Sequence, residues 1–336
     1  MIIGFFEVEE WEEEALKKSF PQDELVFVSH IIGPDNLPER KDLEAICIFV
    51  QSHITEEVLK ELPQLKMITT RSTGFDHIDV KSAKARGIRV MYVPGYGDNT
   101  VAEMAFGLLL NLTRKIYLSI DRIKETGSFS LDGLRGTDLK GKTMGIIGTG
   151  RIGREAIKIA KGFGMDVLAY DVMPNPALPP ELGFKYVPLE ELLSQSDIIS
   201  LHCPYTPETK HIINSGNIGR IKKGAYLINT ARGGLVETEA LTEALRIGAL
   251  SGAGLDVIEE EGEMHDELKV LSQGHPQEEE LKTMLQNHAL MKMPNVLITP
   301  HNAFNSDGAL RRILDTTILN IDSFKKGVVT NLIPEQ

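Results

Sequence analysis

The sequence has few cysteines, fewer basic than acidic residues, and no long apolar run. Its two cysteines in 336 residues, Cys47 and Cys203, exclude a disulfide scaffold and a cysteine-cluster metal site. A reducing, cytoplasmic setting is therefore expected, and no metal. Lys and Arg number 36 against 48 Asp and Glu, and the net charge of −12 argues against nucleic-acid binding and against an anionic membrane surface. No apolar run approaches the roughly 20 residues that span a bilayer, and the acidic start is unlike a secretory signal.

Short apolar runs alternate with helical patterns along most of the chain, which is typical of a parallel sheet covered by helices. The length suits about two domains. Two such α/β series follow each other, and a Gly-rich, charged connection over residues 127–142 leads into the second. The sequence therefore predicts two doubly wound parallel-sheet domains. Thr100–Lys124 is predicted to be one apolar helical stretch that ends before Gly127.

A glycine-rich turn stands at the start of the second series. Gly148, Gly150 and Gly153 follow a predicted strand at 143–147 and open a predicted helix, and Asp171 ends the next strand about 20 residues later. This is the pattern of a βαβ dinucleotide site. The first glycine permits the tight turn, the second lets backbone amides approach the pyrophosphate, and the third lets the helix pack closely on the strand.

Asp171 also discriminates between the two nicotinamide cofactors. A carboxylate at this place accepts hydrogen bonds from the adenosine ribose and repels a 2′-phosphate. No Lys or Arg occurs from Gly162 to Phe184, so no nearby cation could hold that phosphate. The sequence predicts NAD rather than NADP, the alternative being that Asp171 merely ends a strand in a turn.

Three polar side chains follow later strands of the same series. Arg232 follows the strand 225–229, Glu261 lies five residues after Asp256, and His301 follows the last strand. Ligands of open α/β sheets bind at the carboxyl ends of the strands, where these residues lie. An arginine suits a carboxylate ligand, and a Glu with a His suits acid–base work. Glu259 and Glu260 adjoin Glu261, and Glu260 stays an alternative for its role. The segment 259–280 contains nine acidic residues and one Lys, and most of these acids are predicted to form a solvated surface.

With these motifs in order, the sequence resembles the D-isomer-specific 2-hydroxyacid dehydrogenase family over essentially its full length. The segments 71–79 and 261–294 resemble its D-lactate dehydrogenase branch. The motifs that carry the family resemblance are Gly148–Gly153, His202–Thr206, Asn229–Gly234, Gly254–Val257 and Pro300–His301.

The resemblance implies a discontinuous architecture. Residues 1–100 and 300–336 would form a flavodoxin-like substrate (catalytic) domain, and residues 101–299 a Rossmann NAD-binding domain. Family members are typically homodimers joined through their NAD domains, so a homodimer is expected here.

The resemblance also implies the reaction and the roles of the site residues. Arg232 would bind the carboxylate of a small 2-oxo acid, together with the backbone amides of Thr73 and Gly74. NADH would deliver hydride to the carbonyl carbon. His301 would donate the proton, and Glu261 would hydrogen-bond its other ring nitrogen and keep the acid form available near neutral pH. The implied cofactor contacts are Arg151 and Ile152 at the pyrophosphate, Cys203, Pro204 and Thr209 on the adenosine and ribose side, and Thr230, Ala231 and Asp256 near the nicotinamide.

Reduction of pyruvate to D-lactate is the leading expectation for the substrate. The D-lactate branch commonly carries a tyrosine pair shortly after the catalytic histidine, whereas Ala303–Ser306 stands there in this sequence. Glyoxylate or hydroxypyruvate reduction is therefore the alternative within the class. An alternative from another class is a non-enzymatic NAD(H)-sensing protein that resembles the co-repressors of the same fold.

Overall fold

The computed structural model describes residues 1–259 and 278–334. The chain divides into two compact units: the first comprises Met1–Tyr96 with Ser306–Gln336, and the second comprises Gly97–Asn305. The boundaries expected from the sequence would assign residues 97–100 and 300–305 to the opposite units. Glu261, together with Glu260 and most of the acidic segment, lies outside the described residues.

The described elements alternate between strand and helix for most of the chain. The strands are β1 Ile2–Phe6, β2 Glu24–Val28, β3 Ala45–Ile48, β4 Met67–Thr70, β5 Arg89–Met91, β6 Thr143–Ile147, β7 Asp166–Tyr170, β8 Lys185–Tyr186, β9 Ile198–Leu201, β10 Ala225–Asn229, β11 Leu250–Leu255 and β12 Val296–Ile298. The α-helices are α1 Glu10–Ser19, α2 Glu56–Lys60, α3 Val80–Ala85, α4 Asp98–Arg114, α5 Ile116–Thr126, α6 Arg151–Gly162, α7 Leu178–Leu182, α8 Leu189–Gln195, α9 Thr238–Arg246, α10 Glu278–Met291 and α11 Asp307–Lys325.

The first unit has a five-stranded sheet of order β2-β1-β3-β4-β5 among the described residues, and all its neighbouring strands pair in parallel. This is the flavodoxin-like order of the doubly wound fold. Every residue of β3 and β4 is buried, as expected for strands covered by helices on both faces. The two sequence runs at β3 and β4 therefore form central strands of the sheet.

The second unit has a seven-stranded parallel sheet of order β12-β11-β10-β9-β6-β7-β8 among the described residues. The order reverses at β6, so β6 and β9 are neighbours at a topological switch point, the place where doubly wound sheets bind their ligands. α4 and α6 pack on the sheet through a core that includes Phe106, Leu109, Ile146 and Ile157. The predicted fold class, two doubly wound parallel-sheet domains, is confirmed.

The prediction of one helix over Thr100–Lys124 is wrong. The structure has two helices, α4 and α5, and Lys115 between them has a left-handed backbone with φ 54°. The backbone N–H of Thr137 donates to the carbonyl of Thr113 at 2.8 Å, so the loop before β6 takes up a carbonyl that a continuous helix would use. A contact between residues far apart in sequence thus ends α4 without proline or glycine.

Among the described residues, no helix is both long enough and apolar enough to cross a membrane.

Candidate active site

The glycine turn after β6 is shaped by close backbone packing. Gly148 has φ +96°, and a Cβ built there would lie 2.6 Å from the backbone nitrogen of Cys203. A Cβ on Gly153 would lie 2.0 Å from the carbonyl oxygen of Gly148, so α6 can approach the turn only with glycine at this position. By contrast, a Cβ on Gly150 would meet nothing within 4 Å. The turn is therefore tightly packed behind the first and third glycines and open in front of the second.

Helix α6 begins directly after this turn, and the backbone N–H groups of its first turn have no acceptor within the helix. Arg151 and Ile152 are the first two residues of the helix, and Gly150 is its N-cap with no side-chain cap. The Arg151 side chain is exposed and its Nε donates to Asp98 at 2.7 Å, whereas Ile152 packs against the core of the unit. Uncapped N–H groups and the positive end of the helix dipole suit the phosphates of a dinucleotide.

Asp171 lies beyond the end of β7, beside the glycine turn. Its Oδ2 accepts hydrogen bonds from the backbone N–H and the hydroxyl of Thr149, both at 2.7 Å, and its Oδ1 accepts from the N–H of Met173 at 2.9 Å. A carboxylate has about four acceptor positions, so these three donors leave Oδ1 able to accept another hydrogen bond. These hydrogen bonds hold the Asp171 carboxylate in one orientation. The sequence predicts that this carboxylate binds the adenosine ribose.

The loop after β9 is organised by Thr209. Its buried hydroxyl accepts from the N–H of Thr206 at 2.8 Å and donates to the carbonyl of Pro204 at 2.7 Å, while Pro204 itself is exposed. Burial raises the pKa of the Cys203 thiol to about 12, so this thiol is protonated near neutral pH. Cys203 and Pro204 thus lie in this loop beside the glycine turn, and Thr209 fixes its shape.

Arg232 follows β10 on a short loop that Asn229 holds together. The Asn229 side chain is 1% exposed; its Nδ2 donates to the carbonyl of Arg232 at 2.8 Å, and its Oδ1 accepts from the N–H of Ala231 at 3.0 Å. Arg232 is half-buried, and its Nη1 donates to the carbonyl of Ala231 at 2.8 Å. A Cβ on Gly233 would lie 2.0 Å from the carbonyl oxygen of Ile258, so this loop packs directly on the backbone after β11.

The hydroxyl of Thr230, between Asn229 and Ala231, indicates whether the site suits a cofactor. Its hydroxyl oxygen is buried and has no hydrogen-bond partner among the described residues. Buried hydroxyls in native proteins are nearly always hydrogen-bonded. An unsatisfied hydroxyl at the carboxyl edge of the sheet, together with the open face of Gly150, fits a polar ligand such as a nicotinamide dinucleotide.

His301 follows β12 on a loop that Asp256 organises. Asp256 is 1% exposed, and its carboxylate accepts from the hydroxyl of Thr299 and, at 2.8 Å each, from the backbone N–H groups of Asn302 and Ala303. Its carbonyl accepts from the N–H of His301 at 2.8 Å. Burial raises the pKa of Asp256, while these hydrogen bonds to the carboxylate oppose that shift. The contact of Asp256 with the nicotinamide stays a prediction, whereas its grip on the histidine loop is a feature of the structure.

The backbone of His301 has φ 49°, in the left-handed region that few residues other than glycine adopt. The bonds from Asp256 to both sides of the residue maintain this conformation. Non-glycine residues in such conformations are concentrated at functional sites, where the surrounding contacts determine the direction of a side chain.

Glu259, the first of the three adjacent glutamates, has structural partners of its own. Its carboxylate accepts from the N–H and hydroxyl of Thr238 at the start of α9, at 2.8 and 2.6 Å, and lies 2.6 Å from Nε2 of His211. This leaves Glu261, with Glu260 as its alternative, and both lie outside the described residues.

The other histidines near the motifs also have structural partners. Burial lowers the pKa of His202 to about 4, so its ring is neutral near pH 7, and its Nε2 lies 2.9 Å from the hydroxyl of Ser200. His77, in the first unit, is buried with its Nε2 3.1 Å from Thr70 Oγ1.

Thr73 and Gly74 lie in the first unit, in the loop after β4. The hydroxyl of Thr73 donates to the carbonyl of Val93 at 2.9 Å, and the hydroxyl of Ser72 donates to the carbonyl of Gly74 at 2.6 Å. These bonds shape the loop and leave the backbone N–H groups of Thr73 and Gly74 without acceptors among the described residues. Such N–H groups can bind a carboxylate.

Sequence reasoning assigned no role to Asn229, Thr149 or Thr299, which hold the loops of the site. Asn229 is the first residue of the Asn229–Gly234 motif, and an Asn at a strand end commonly bonds the backbone two residues later and so organises a turn. Thr149 stands between two of the fingerprint glycines. Thr299 has no sequence signal, because its partner Asp256 follows a different strand, more than 40 residues earlier.

A glycine turn at a helix N-terminus, a carboxylate beside that turn and a sheet that reverses at that point define the second unit as a Rossmann-type dinucleotide-binding domain. Its family follows from comparison with known proteins. Residues 106–303 match the model of the D-isomer specific 2-hydroxyacid dehydrogenase NAD-binding domain. The chain belongs to the D-isomer-specific 2-hydroxyacid dehydrogenase family, whose members are NAD-dependent oxidoreductases acting on CH–OH groups.

Individual relatives match nearly the whole chain. D-Lactate dehydrogenase of Escherichia coli (strain K12) is 39% identical over 306 residues, 90% of this chain and 90% of its own length. Glyoxylate reductase of Korarchaeum cryptofilum is 35% identical over 336 residues, 98% of this chain and 90% of its own. The crystal structure of D-lactate dehydrogenase from Aquifex aeolicus, complexed with NAD and lactic acid, superposes with a TM-score of 0.85 at 39% identity, covering 97% of this chain and 96% of that one. These matches confirm the predicted family, its likeness to the D-lactate dehydrogenase branch, and NAD as the cofactor.

Proposed function

We propose that this protein reduces a small 2-oxo acid to the D-2-hydroxy acid, with pyruvate and D-lactate as the leading pair. The observation that carries the proposal is the placement of Arg232 and His301 on loops at the same carboxyl edge of the sheet, after β10 and β12, the two strands that flank β11. Each loop is fixed by a buried side chain, Asn229 or Asp256. A cation that suits a carboxylate and a residue that can transfer a proton are the two groups such a reduction needs from the protein.

Each group has one task in this proposal. Arg232 binds the carboxylate of the 2-oxo acid through its planar, charged fork. His301 donates a proton to the carbonyl oxygen as that oxygen gains charge, and it takes the proton back in the oxidation direction. Bound NADH supplies the hydride. Thr73 and Gly74 of the first unit share the carboxylate through their backbone N–H groups, which makes that unit the substrate domain.

The residues assigned to NAD lie along the same edge. Gly148, Gly150, Gly153 and the N-terminus of α6 would hold the pyrophosphate, and Asp171 the adenosine ribose. The remaining residues proposed to contact NAD are Arg151, Ile152, Cys203, Pro204, Thr209, Thr230, Ala231 and Asp256. Glu261 is proposed to orient His301.

A substrate panel tests the proposal. Initial rates with NADH would be measured for pyruvate, 2-oxobutyrate, phenylpyruvate, glyoxylate and hydroxypyruvate, and the configuration of the product would be determined. We expect the highest kcat/KM with pyruvate and a D-configured product. A preference for glyoxylate or hydroxypyruvate would favour the alternative that the Korarchaeum relative's name suggests. Turnover of none of the five would contradict the proposal; the dehydrogenase and reductase names of the relatives favour an enzyme over an NAD(H) sensor.

The partner of the second unit is proposed to be a second copy of the chain. No residue of α5 is buried, and Ile116, Ile120 and Ile123 recur on one face of this helix at 39–47% exposure. After the helix, Phe129 and Leu131 are 83% and 82% exposed. The guanidinium of Arg122 donates to the carbonyls of Ser130 and Asp132, which fixes this loop against the helix. An apolar stripe with a rigid apolar loop beside it is typical of a surface that another protein covers.

Replacing Ile120 by Asp and Phe129 by Ser together is expected to convert a dimer into monomers. A charge and a hydroxyl at this surface would remove apolar area that dimer formation buries. Sedimentation-velocity or light-scattering measurements would give twice the chain mass for the unchanged protein and the single mass for the variant. Ile247→Asp, at a 61% exposed side chain elsewhere in the same unit, is the matched control and should leave the mass doubled. A monomeric unchanged protein would contradict this proposal.

The cytoplasmic location stays a prediction from the sequence.

A further inference from the structure

A chain of hydrogen bonds links the Asp171 carboxylate to the edge of the seven-stranded sheet. The hydroxyl of Thr149, which bonds Oδ2 of Asp171 at 2.7 Å, also lies 2.7 Å from the hydroxyl of Tyr186. The backbone N–H of Asn175 donates to that Tyr186 hydroxyl over 3.3 Å. Thr149 is 5% exposed, so the centre of the chain is shielded from water.

The chemistry of the groups fixes the direction in which the protons point. A carboxylate only accepts hydrogen bonds, so the single hydroxyl proton of Thr149 is given to Asp171. The Tyr186 hydroxyl must then donate its own proton to the oxygen of Thr149, and it accepts from Asn175. Every donor in the chain therefore points toward the carboxylate, and hydrogen bonds aligned in this way polarise and strengthen one another.

Tyr186 is itself held in place. It lies on β8, where Ala169 of β7 is its partner in the parallel ladder. Its ring packs edge-on against Phe184, with ring centres 4.9 Å apart and planes at 81°. Phe184 belongs to the buried core of the unit. The position of the hydroxyl is therefore set by the sheet and the core.

We propose that Tyr186 is a positioning residue for the cofactor: through Thr149 it orients the Asp171 carboxylate for the adenosine ribose of NAD. This rests on the proposed role of Asp171. Its consequence is that selectivity for NAD over NADP depends on a residue of the sheet edge as well as on the carboxylate. A carboxylate free to rotate would bind the ribose hydroxyls less tightly, and its electrostatic repulsion of a 2′-phosphate would be distributed over several positions.

Tyr186→Phe removes the hydroxyl and keeps the ring against Phe184. We expect the dissociation constant for NADH, measured by fluorescence titration, to rise about three- to tenfold, in line with the loss of one hydrogen bond. The dissociation constant for NADPH should change less, so the preference for NADH narrows. kcat at saturating NADH should stay within about twofold of its original value. Tyr226→Phe, on β10 of the same sheet, is the matched control, since the Tyr226 hydroxyl makes no hydrogen bond with the described residues.

A double-mutant cycle separates positioning from a general structural role. If Tyr186 acts through Thr149, Tyr186→Phe should have no further effect on NADH binding in a Thr149→Val background. Thr149→Ser, which keeps the hydroxyl, should retain the effect of Tyr186→Phe. An unchanged NADH dissociation constant in Tyr186→Phe, or an equal weakening in the Thr149→Val background, would overturn the inference.

Asp171→Ala distinguishes this inference from the proposal beneath it. That variant should lose most of its discrimination against NADPH. If it does and Tyr186→Phe changes nothing, Asp171 binds the ribose without help from Tyr186. If Asp171→Ala leaves the discrimination unchanged, the role of Asp171 itself is refuted.

Discussion

Replacing His301 is expected to lower kcat by about 10²- to 10⁴-fold while NADH still binds, because the variant loses the proton donor of the reaction and keeps every residue proposed to contact NAD. The choice of replacement matters here, since residue 301 has φ 49°. Asparagine adopts left-handed backbone far more readily than alanine. His301→Asn therefore removes the imidazole with less disturbance of the loop, and His301→Ala is the more drastic companion.

Steady-state kinetics gives kcat, and fluorescence titration gives the NADH dissociation constant. The backbone bonds from Asn302 and Ala303 to Asp256 do not involve the imidazole, so the loop should survive in both variants. His30→Asn, at an exposed histidine of the first unit, is the matched control and should leave kcat unchanged. A kcat within tenfold of the original in His301→Asn would mean that another group is the acid.

Replacing Arg232 by Ala should lower kcat/KM for the 2-oxo acid by about 10²- to 10³-fold, mostly through a higher KM, because removal of one member of a desolvated charge pair leaves the other without its partner. Arg232→Lys keeps the charge and loses the fork that bonds both carboxylate oxygens, so an intermediate value is expected. Asn229 bonds the carbonyl of residue 232 and not its side chain, and the loop should therefore keep its shape.

Arg246→Ala provides the comparison for Arg232. Arg246 belongs to the same unit, is exposed, and pairs with Glu243 at 2.7 Å. Its loss should leave both kinetic constants unchanged, since exposed ion pairs contribute little. If Arg232→Ala leaves the KM for the 2-oxo acid unchanged, the carboxylate is bound by another group.

The dinucleotide turn was predictable in detail because its physics is local. Gly148 has a positive φ and a Cβ on Gly153 would meet the carbonyl of Gly148, so the need for glycine at these two positions arises within a few residues, and Gly150 leaves the turn open. The turn also connects a strand and a helix whose patterns are local. The apolar strands were recognisable for a similar reason: strands covered on both faces consist of nearly continuous apolar residues.

The loop that carries His301 was not predictable at the same level. Asp256 precedes Asn302 and Ala303 by more than 40 residues, and they meet because β11 and β12 are neighbours in the sheet. The break between α4 and α5 has a similar origin, since the carbonyl of Thr113 accepts from the N–H of Thr137 and not from a residue one helical turn later. In each case the deciding hydrogen bond joins segments that are distant along the chain.

The sequence by itself determined the class of fold, the position of the dinucleotide turn and the residue types available for chemistry, because periodicity and glycine requirements act over a few residues. Only the tertiary structure decided that Glu259 accepts from the first residue of α9, that Asp256 holds the histidine loop and that Tyr186 is linked through Thr149 to Asp171. Those roles depend on which strand ends and helix ends are adjacent in space, and adjacency in a parallel sheet follows from strand order, which short-range pattern does not encode.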